Sequence, residues 1–130
     1  MTIARILTYR DREAWQAGVD TVLAVYKIAE ALPIAERYVL SSQMRRAAIS
    51  IPANVAEGHS RRRPRAYLNH LSIALGSLAE LETQLDVAAR LGFVERSAVH
   101  DVVQLTTRVR QLLHGLRRSI ARHHQLDDSQ

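Results

Sequence analysis

The sequence of 130 residues lacks several features that mark well-known functional classes. It has no cysteine, which excludes a disulfide scaffold, a thiolate metal site and a cysteine nucleophile. No apolar run approaches the roughly 20 residues that span a bilayer, and residues 1–12 lack the apolar core of a signal peptide. We therefore expect a cytoplasmic protein that does not associate with a membrane.

The patterns of common catalytic and metal sites are also missing. No acidic residue has a histidine three positions later, as a di-iron bundle requires, and no two histidines stand four apart, as in helical zinc sites. The chain contains no glycine-rich phosphate loop. We accordingly predict no catalytic residue, no metal and no cofactor, and we expect the protein not to be an enzyme.

Prolines and glycines are few, so long uninterrupted segments remain. Apolar residues recur in these segments at the three- and four-residue spacing of amphipathic helices, and no alternating strand pattern occurs. The predicted helices cover residues 11–32, 36–58, 64–91 and 96–123. These features predict one all-α domain over 1–130, an up-down four-helix bundle with disordered ends.

The predicted buried stripes differ in regularity. The stripe of the last helix is a heptad seam with one polar member: Val99, Val102, Thr106, Val109, Leu113, Leu116 and Ile120. The stripe of the first helix consists of Trp15, Val19, Val22, Tyr26 and Ala29. Both stripes are expected to face the centre of the bundle.

The second predicted helix has two apolar faces. Its inner face contains Leu40, Met44, Ala47, Ala48, Ile51 and Val55. Its second face contains Ile49, Ala53 and Ala56, and a helix in a lone bundle needs only one buried stripe. We predict that the second face contacts another subunit; scattered surface alanines are the alternative. Pro52 predicts a kink near residues 48–51.

Positive charge is concentrated in two segments. The formal net charge is +5, and residues 41–65 hold six arginines against Glu57 alone. Residues 108–130 are also basic, whereas residues 66–107 are acidic. Nearly all the cations are arginine, whose planar fork holds phosphate or carboxylate. Codon bias toward arginine would produce the same composition.

These arginines predict a nucleic-acid-binding surface, because clustered guanidinium groups neutralise phosphates. The candidates are Arg45, Arg46, Arg61, Arg62, Arg63, Arg65, Arg117 and Arg118. No aromatic residue accompanies either cluster, which argues against base stacking. A solvated loop is the alternative reading of the 61–65 segment, and some arginines of the last helix could instead pair with acids of the third.

Polar residues within the helices suggest architectural roles. Asn54 and Glu82 are expected to be partly buried and to share a network with an arginine of the second helix. Gly76 and Ser77 stand in the middle of the third helix, where glycine is unfavourable. We expect another helix to approach closely there.

Two sequence runs resemble a known family. Residues 43–58 read QMRRAAISIPANVAEG and residues 73–85 read IALGSLAELETQL; Trp15 and Tyr26 extend the match, which covers about residues 9–120. They resemble the four helix bundle protein family, also called ribosomal RNA intervening-sequence proteins because such reading frames lie in insertions within bacterial 23S rRNA genes. Its relatives include the accessory variability protein of diversity-generating retroelements, a homopentameric barrel with a basic surface that associates with reverse transcriptase and nucleic acid.

The resemblance implies a four-helix protomer in a homopentameric ring, with no known enzymatic activity. It also implies a set of mainly architectural positions: Pro52, Asn54, Glu57, Gly58, Gly76, Ser77 and Glu82. The chain differs from its relatives in the loop between the second and third predicted helices. In the relatives, the arginine of this loop is usually followed by a serine and an acidic residue. Here Arg62, Arg63 and Arg65 make the loop more basic. This difference weakens the case for carrying over a loop contact from the relatives, but it raises the local positive electrostatic potential.

The leading hypothesis is a non-catalytic homo-oligomer that binds RNA or another nucleic acid through arginine-rich surfaces. The alternative is a protein-interaction scaffold, or an accessory factor for a polypeptide such as a reverse transcriptase. An enzyme is the third and weakest possibility.

Overall fold

The computed structural model describes residues 7–126 and contains four α-helices joined by short connections. The helices are α1 (Tyr9–Ala31), α2 (Leu40–Ser60), α3 (Pro64–Arg90) and α4 (Arg96–His124). Within the described range there is no strand. The predicted all-α class with four helices is confirmed. The outermost residues of the ends predicted to be disordered, 1–6 and 127–130, lie outside the described residues.

Each helix packs against two others. Helix α1 contacts α2 and α4, and α3 contacts the same two helices from the other side. Because short connections join helices that touch, consecutive helices run antiparallel. The first turns of α1 and α3 therefore lie at the same end of the bundle as the last turns of α2 and α4. We call this the α2–α3 end.

The core is formed by aliphatic side chains from all four helices. The largest fully buried side chains include Met44, Ile51, Leu71, Leu78, Leu81, Leu85 and Leu113. Every residue predicted for the inner face of α2 is buried. None of the helices in residues 7–126 combines the length and apolar character needed to cross a membrane.

The buried face of α1 differs from the predicted one by one position. Ala14, Gly18, Thr21, Val25 and Ile28 are buried; of the predicted residues, Ala29 is buried, Trp15, Val19 and Val22 are only partly buried, and Tyr26 is exposed. A shift of one residue turns a helix by about 100°. The reason lies in α2, because a Cβ on Gly18 would stand only 3.3 Å from Pro52. Small residues of α1 are turned inward so that the two backbones can approach.

Helix α2 begins four residues later than predicted. Residues Ile34–Glu36 form a separate 3₁₀ turn after Pro33, and Val39 has non-helical backbone angles. The hydroxyl of Ser41 donates to the carbonyl oxygen of Ala29 at 3.2 Å, which ties the start of α2 to the end of α1. Helix α2 is assigned as one helix across Pro52; the kink stays a prediction.

The predicted seam of α4 is confirmed. Val102, Thr106, Val109, Leu113 and Leu116 are buried, and Val99 and Ile120 are partly buried. Its polar member, Thr106, donates to Glu82 Oε2 of α3 at 2.8 Å and to the carbonyl of Val103 at 2.9 Å. The buried hydroxyl is thus satisfied.

Two glycines behave differently from each other. Gly76 has open space around the position of a Cβ, so the helix predicted to approach it is not present in the protomer. At Gly58, by contrast, a Cβ would stand 2.7 Å from Cδ1 of Tyr67 and 2.9 Å from Cβ of His70. Gly58 therefore allows the last turn of α2 to pack directly on α3.

Gly58→Ala is expected to lower the free energy of unfolding by about 1 to 3 kcal/mol, because an added methyl group would force α2 and α3 apart. Urea unfolding followed by circular dichroism measures this change. The matched control is Gly115→Ala in α4, where the nearest side-chain atom to a Cβ is 3.8 Å away. The control should gain about 0.5 to 1 kcal/mol through helix propensity. Equal effects at the two sites would contradict the packing described at Gly58.

Candidate nucleic-acid interface

The fold brings arginines from three parts of the chain to the α2–α3 end. The antiparallel arrangement places the start of α1, the α2–α3 connection and the last turns of α4 side by side. The exposed arginines in these segments are Arg10, Arg12, Arg61, Arg62, Arg63, Arg65, Arg118 and Arg122. Two basic segments that are separate in the sequence therefore form one basic surface. We call these eight residues the basic end.

The connection between α2 and α3 is short and exposed. Arg61 Nη2 lies 3.0 Å from Glu57 Oε1, one helical turn earlier, and both side chains are more than half exposed. Such a pair contributes little stability and is readily broken by a competing phosphate. Arg62 has a φ of 58°, the left-handed conformation, and Arg63 immediately precedes Pro64, which starts α3. Arg61, Arg62 and Arg63 therefore lie on a tight turn between α2 and α3.

Arg45 and Arg46 lie away from the basic end. They stand in the first turns of α2, about 22 Å along the helix from Arg61 at 1.5 Å per residue. The guanidinium of Arg45 lies 5.8 Å from the ring centre of Tyr26 and also donates to the carbonyl of Arg37 at 3.4 Å. Arg46 is exposed beside the groove between α2 and α3. The two predicted arginine groups do not form one cluster.

The predicted arginines of α4 have different environments. Arg118 is exposed, but Arg117 is only 8% exposed. Arg117 therefore offers little surface to an incoming polyanion, and its predicted phosphate contact stays a prediction. Arg110 makes an ion pair with Glu82 of α3. The expectation that some α4 arginines pair with acids of α3 is therefore confirmed for this residue.

A buried carboxylate lies beneath the basic end. Asp11, in the first turn of α1, accepts hydrogen bonds from the hydroxyls of Tyr67 and Thr8. Nε2 of His59 is 3.9 Å from Oδ2 of Asp11, and the rings of His59 and Tyr67 meet edge to face with centres 6.2 Å apart. Burial raises the pKa of the Tyr67 hydroxyl, and the hydrogen bond to Asp11 and the charge of that carboxylate raise it further. Tyr67 is therefore a neutral donor.

An open cavity of about 810 Å³ lies above this carboxylate. Its walls come from the start of α1, the α2–α3 connection and the last turns of α4, and they include Tyr9, Arg62 and Arg63. The expectation that no aromatic residue accompanies the arginines is wrong, because Tyr9 and Tyr67 both line this cavity. Asp11 and Tyr67 are 56 residues apart, so no local pattern could have revealed their contact.

The polar residues of the helices form two networks instead of the single one expected. On α2 and α3, Asn54 donates to Ser50 Oγ at 3.0 Å and its Oδ1 meets Nδ1 of His70 at 2.9 Å. Ser77 completes this network by donating to Ser50 Oγ at 2.8 Å. Glu82 belongs to the separate network with α4. Its side-chain partners are Thr106 and Arg110 of α4, and among the described contacts none joins it to an arginine of α2.

The predicted subunit-contact residues lie on the outer face of α2. Ile49 is 45% exposed, Ala53 is exposed and Ala56 is partly buried. Ile73 on the neighbouring α3 is 44% exposed. We call these four residues the α2–α3 face. The groove beside it is lined in part by Gln84, whose Oε1 is buried without a hydrogen-bond partner among the described residues.

The remaining predicted residues have structural positions. Pro52 is buried against α1, Gly58 packs on α3, and Glu57 is an exposed partner of Arg61. Within residues 7–126, no group of three or more histidine and acidic side chains is arranged to hold a metal ion.

Tyr67→Phe should change how stability depends on pH. An unfolded tyrosine ionises near pH 10, whereas the native Tyr67 hydroxyl keeps its proton to higher pH. Its contribution is fully present below about pH 10 and falls above it, by up to about 1.4 kcal/mol per pH unit. The variant should be less stable at pH 7 by about 1 to 3 kcal/mol, since Asp11 loses a donor, and should show a flatter decline above pH 10.

Urea unfolding at several pH values compares the two proteins, and the other three tyrosines are common to both. Parallel stability curves above pH 10 would contradict the proposed role of the Tyr67 hydroxyl.

Comparison with known proteins places this fold in a family. No curated protein matches the chain. Among solved structures it is similar to a protein of unknown function from the S23 ribosomal protein family of Bacteroides thetaiotaomicron, with a TM-score of 0.76 and 22% identity over 82% of this chain and 96% of that one. This likeness shows a shared fold. A model of the 23S rRNA-intervening sequence protein family matches residues 10–115, which confirms the resemblance seen in the sequence. The chain therefore belongs to the 23S rRNA-intervening sequence protein family.

Proposed function

We propose that this protein is a cytoplasmic, homo-oligomeric RNA-binding protein without catalytic activity of its own. The observation that supports RNA binding most directly is the convergence of exposed arginines from three separate segments on the basic end. The family description, which names an intervening sequence of 23S rRNA, is consistent with an RNA partner.

The chemistry of the basic end suits a phosphate backbone. Guanidinium groups form bidentate hydrogen bonds with phosphate oxygens, and clustered arginines release counterions when they bind a polyanion. Such binding depends strongly on salt and weakly on base sequence. Because the pair of Arg61 with Glu57 is exposed and weak, Arg61 can turn toward RNA at small cost.

Oligomerisation would strengthen this binding. The α2–α3 face exposes two isoleucines and small residues, and Gly76 leaves open space beside them. We propose that a second copy covers this face and that the copies form a ring, with five members as the family resemblance implies. Rotation about one axis places the basic ends of all copies at the same height along that axis. The combined potential and multivalent contact would exceed those of one protomer.

The RNA-binding proposal predicts the effect of charge reversal. Changing Arg61, Arg62 and Arg63 together to Glu should lower affinity for a structured RNA at least about tenfold at low salt, since three phosphate contacts would become repulsive. Fluorescence anisotropy at about 50 and 200 mM salt would also show a smaller salt dependence in the variant.

The matched control reverses Arg37, Arg90 and Arg96, which are exposed at the opposite end of the bundle. It changes the net charge equally and should retain most of the affinity. Absence of RNA binding by the wild type at low salt, or equal losses in both variants, would overturn the proposal. Capture of a protein partner that survives nuclease and high salt would favour a scaffold instead.

The oligomer proposal predicts the effect of a charge on the α2–α3 face. Ile49→Asp should convert the assembly to monomers, because burying an unpaired carboxylate in a subunit contact is strongly unfavourable. Light scattering at micromolar concentration measures the mass. Ile34→Asp is the matched control, since Ile34 is 81% exposed in the 3₁₀ turn after α1. A monomeric wild type, or the same mass for both variants, would contradict the proposed contact.

A further inference from the structure

The cavity at the basic end has the size and lining of a ligand site. Its volume of about 810 Å³ falls within the range of roughly 300 to 1,000 Å³ that is usual for small-molecule sites. It opens at the surface where the arginines converge and ends near the buried Asp11. Binding of an RNA backbone across exposed arginines would not require such a depression.

One part of the lining suits a phosphate group. The lining includes Arg10, Arg62 and Arg63, together with His123 and His124 from the last turn of α4. The lining carboxylate, Asp11, already accepts hydrogen bonds from two hydroxyls. The cavity therefore presents an excess of donors and positive charge to any ligand.

The other part of the lining is apolar. Pro64, Leu116 and Ile120 contribute aliphatic surface. Tyr9 lines the same cavity and is 77% exposed, which leaves its ring available for stacking. An inorganic anion would gain nothing from these side chains. A ligand that combines a phosphate with a planar, largely apolar group would contact both parts of the lining.

The backbone at the mouth of the cavity is also unusual. Arg62 follows the C-cap of α2 in the left-handed conformation, with φ 58°. Glycine is the usual residue at this position, because other side chains are strained there. Strained non-glycine residues concentrate at functional sites. Arg62 is therefore less favourable for the stability of the fold than glycine would be at this position. A role of the Arg62 side chain in binding would explain why arginine stands there.

We infer that this cavity binds a phosphorylated nucleotide, with the phosphate held by Arg62, Arg63 and Arg10 and the base placed against Tyr9 and Ile120. The inference deepens the proposed function and rests on it through the shared arginines of the α2–α3 connection. The nucleotide is either a free mononucleotide or the phosphorylated 5′ end of an RNA.

Calorimetry with the full-length protein at low salt tests the inference with three probes: adenosine 5′-monophosphate, adenosine and inorganic phosphate. The monophosphate should bind at least about tenfold more tightly than either of the others, since only it contacts both parts of the lining. Equal binding of inorganic phosphate, or no binding of the monophosphate at millimolar concentration, would overturn the inference.

A second comparison distinguishes the two sources of the nucleotide. A short unstructured RNA with a 5′-phosphate is compared with the same RNA bearing a 5′-hydroxyl. Tighter binding of the phosphorylated RNA identifies an RNA end as the ligand, whereas equal binding of both RNAs together with binding of the mononucleotide identifies a free nucleotide. If the 5′-hydroxyl RNA binds through the loop arginines while the monophosphate does not, the cavity inference fails and the proposed function stands.

Two variants separate binding from folding. Arg62→Gly relieves the backbone strain, so its Tm should rise while its affinity for the monophosphate falls at least about tenfold. Ser119→Trp places a large ring in the cavity wall without changing charge; it should abolish monophosphate binding and retain affinity for the 5′-hydroxyl RNA. Circular dichroism verifies that both variants are folded.

Arg96→Ala, at the opposite end, should leave monophosphate affinity unchanged. Unchanged affinity in folded Arg62→Gly and Ser119→Trp would overturn the inference.

Discussion

The hydrogen bond between Tyr67 and the buried Asp11 holds together the helix starts at the basic end of this protein. It joins the first turn of α1 to the first turn of α3, although the two residues are 56 positions apart. The hydroxyl of Thr8 supplies a second donor. A buried carboxylate without such partners would be strongly unfavourable. With them, the two helix starts are held together, and Arg10 of α1 lines the same cavity as Arg62 and Arg63 of the α2–α3 connection.

Small residues allow α2 to pack closely against α3 and against α1. Gly58 lets the last turn of α2 lie against Tyr67, and Gly18 lets α1 approach Pro52. At Gly58 a methyl group would occupy space already taken by Tyr67 and His70, and at Gly18 it would be in tight contact with Pro52. The proline in α2 is thus accommodated by a glycine on the adjacent helix. These contacts explain why α1 turns its smaller residues, rather than Trp15 and Val22, toward the core.

Two groups of arginines among the described residues have distinct structural roles. Those within the bundle, such as Arg110 with Glu82, connect helices and satisfy partly buried carboxylates. Those at the basic end are exposed, and three of them, Arg10, Arg62 and Arg63, border a cavity that two tyrosines also line. The proposed attraction of RNA and the proposed recognition of a phosphorylated nucleotide would share Arg62 and Arg63, and only the second would also use the apolar lining of the cavity.

The sequence by itself determined the number of helices, most of their limits and the buried faces of α2 and α4. These follow from the 3.6-residue period and from proline and glycine, which act over a few residues. The periodicity of α1 was misleading, because a contact with Pro52 of another helix decides which side is buried. Only the tertiary structure decided that Arg117 is inside, that Glu82 pairs with α4, and that Arg10, Arg62 and His123 share a cavity with Tyr9. Such relations depend on the antiparallel order of the helices, which brings distant segments to one end.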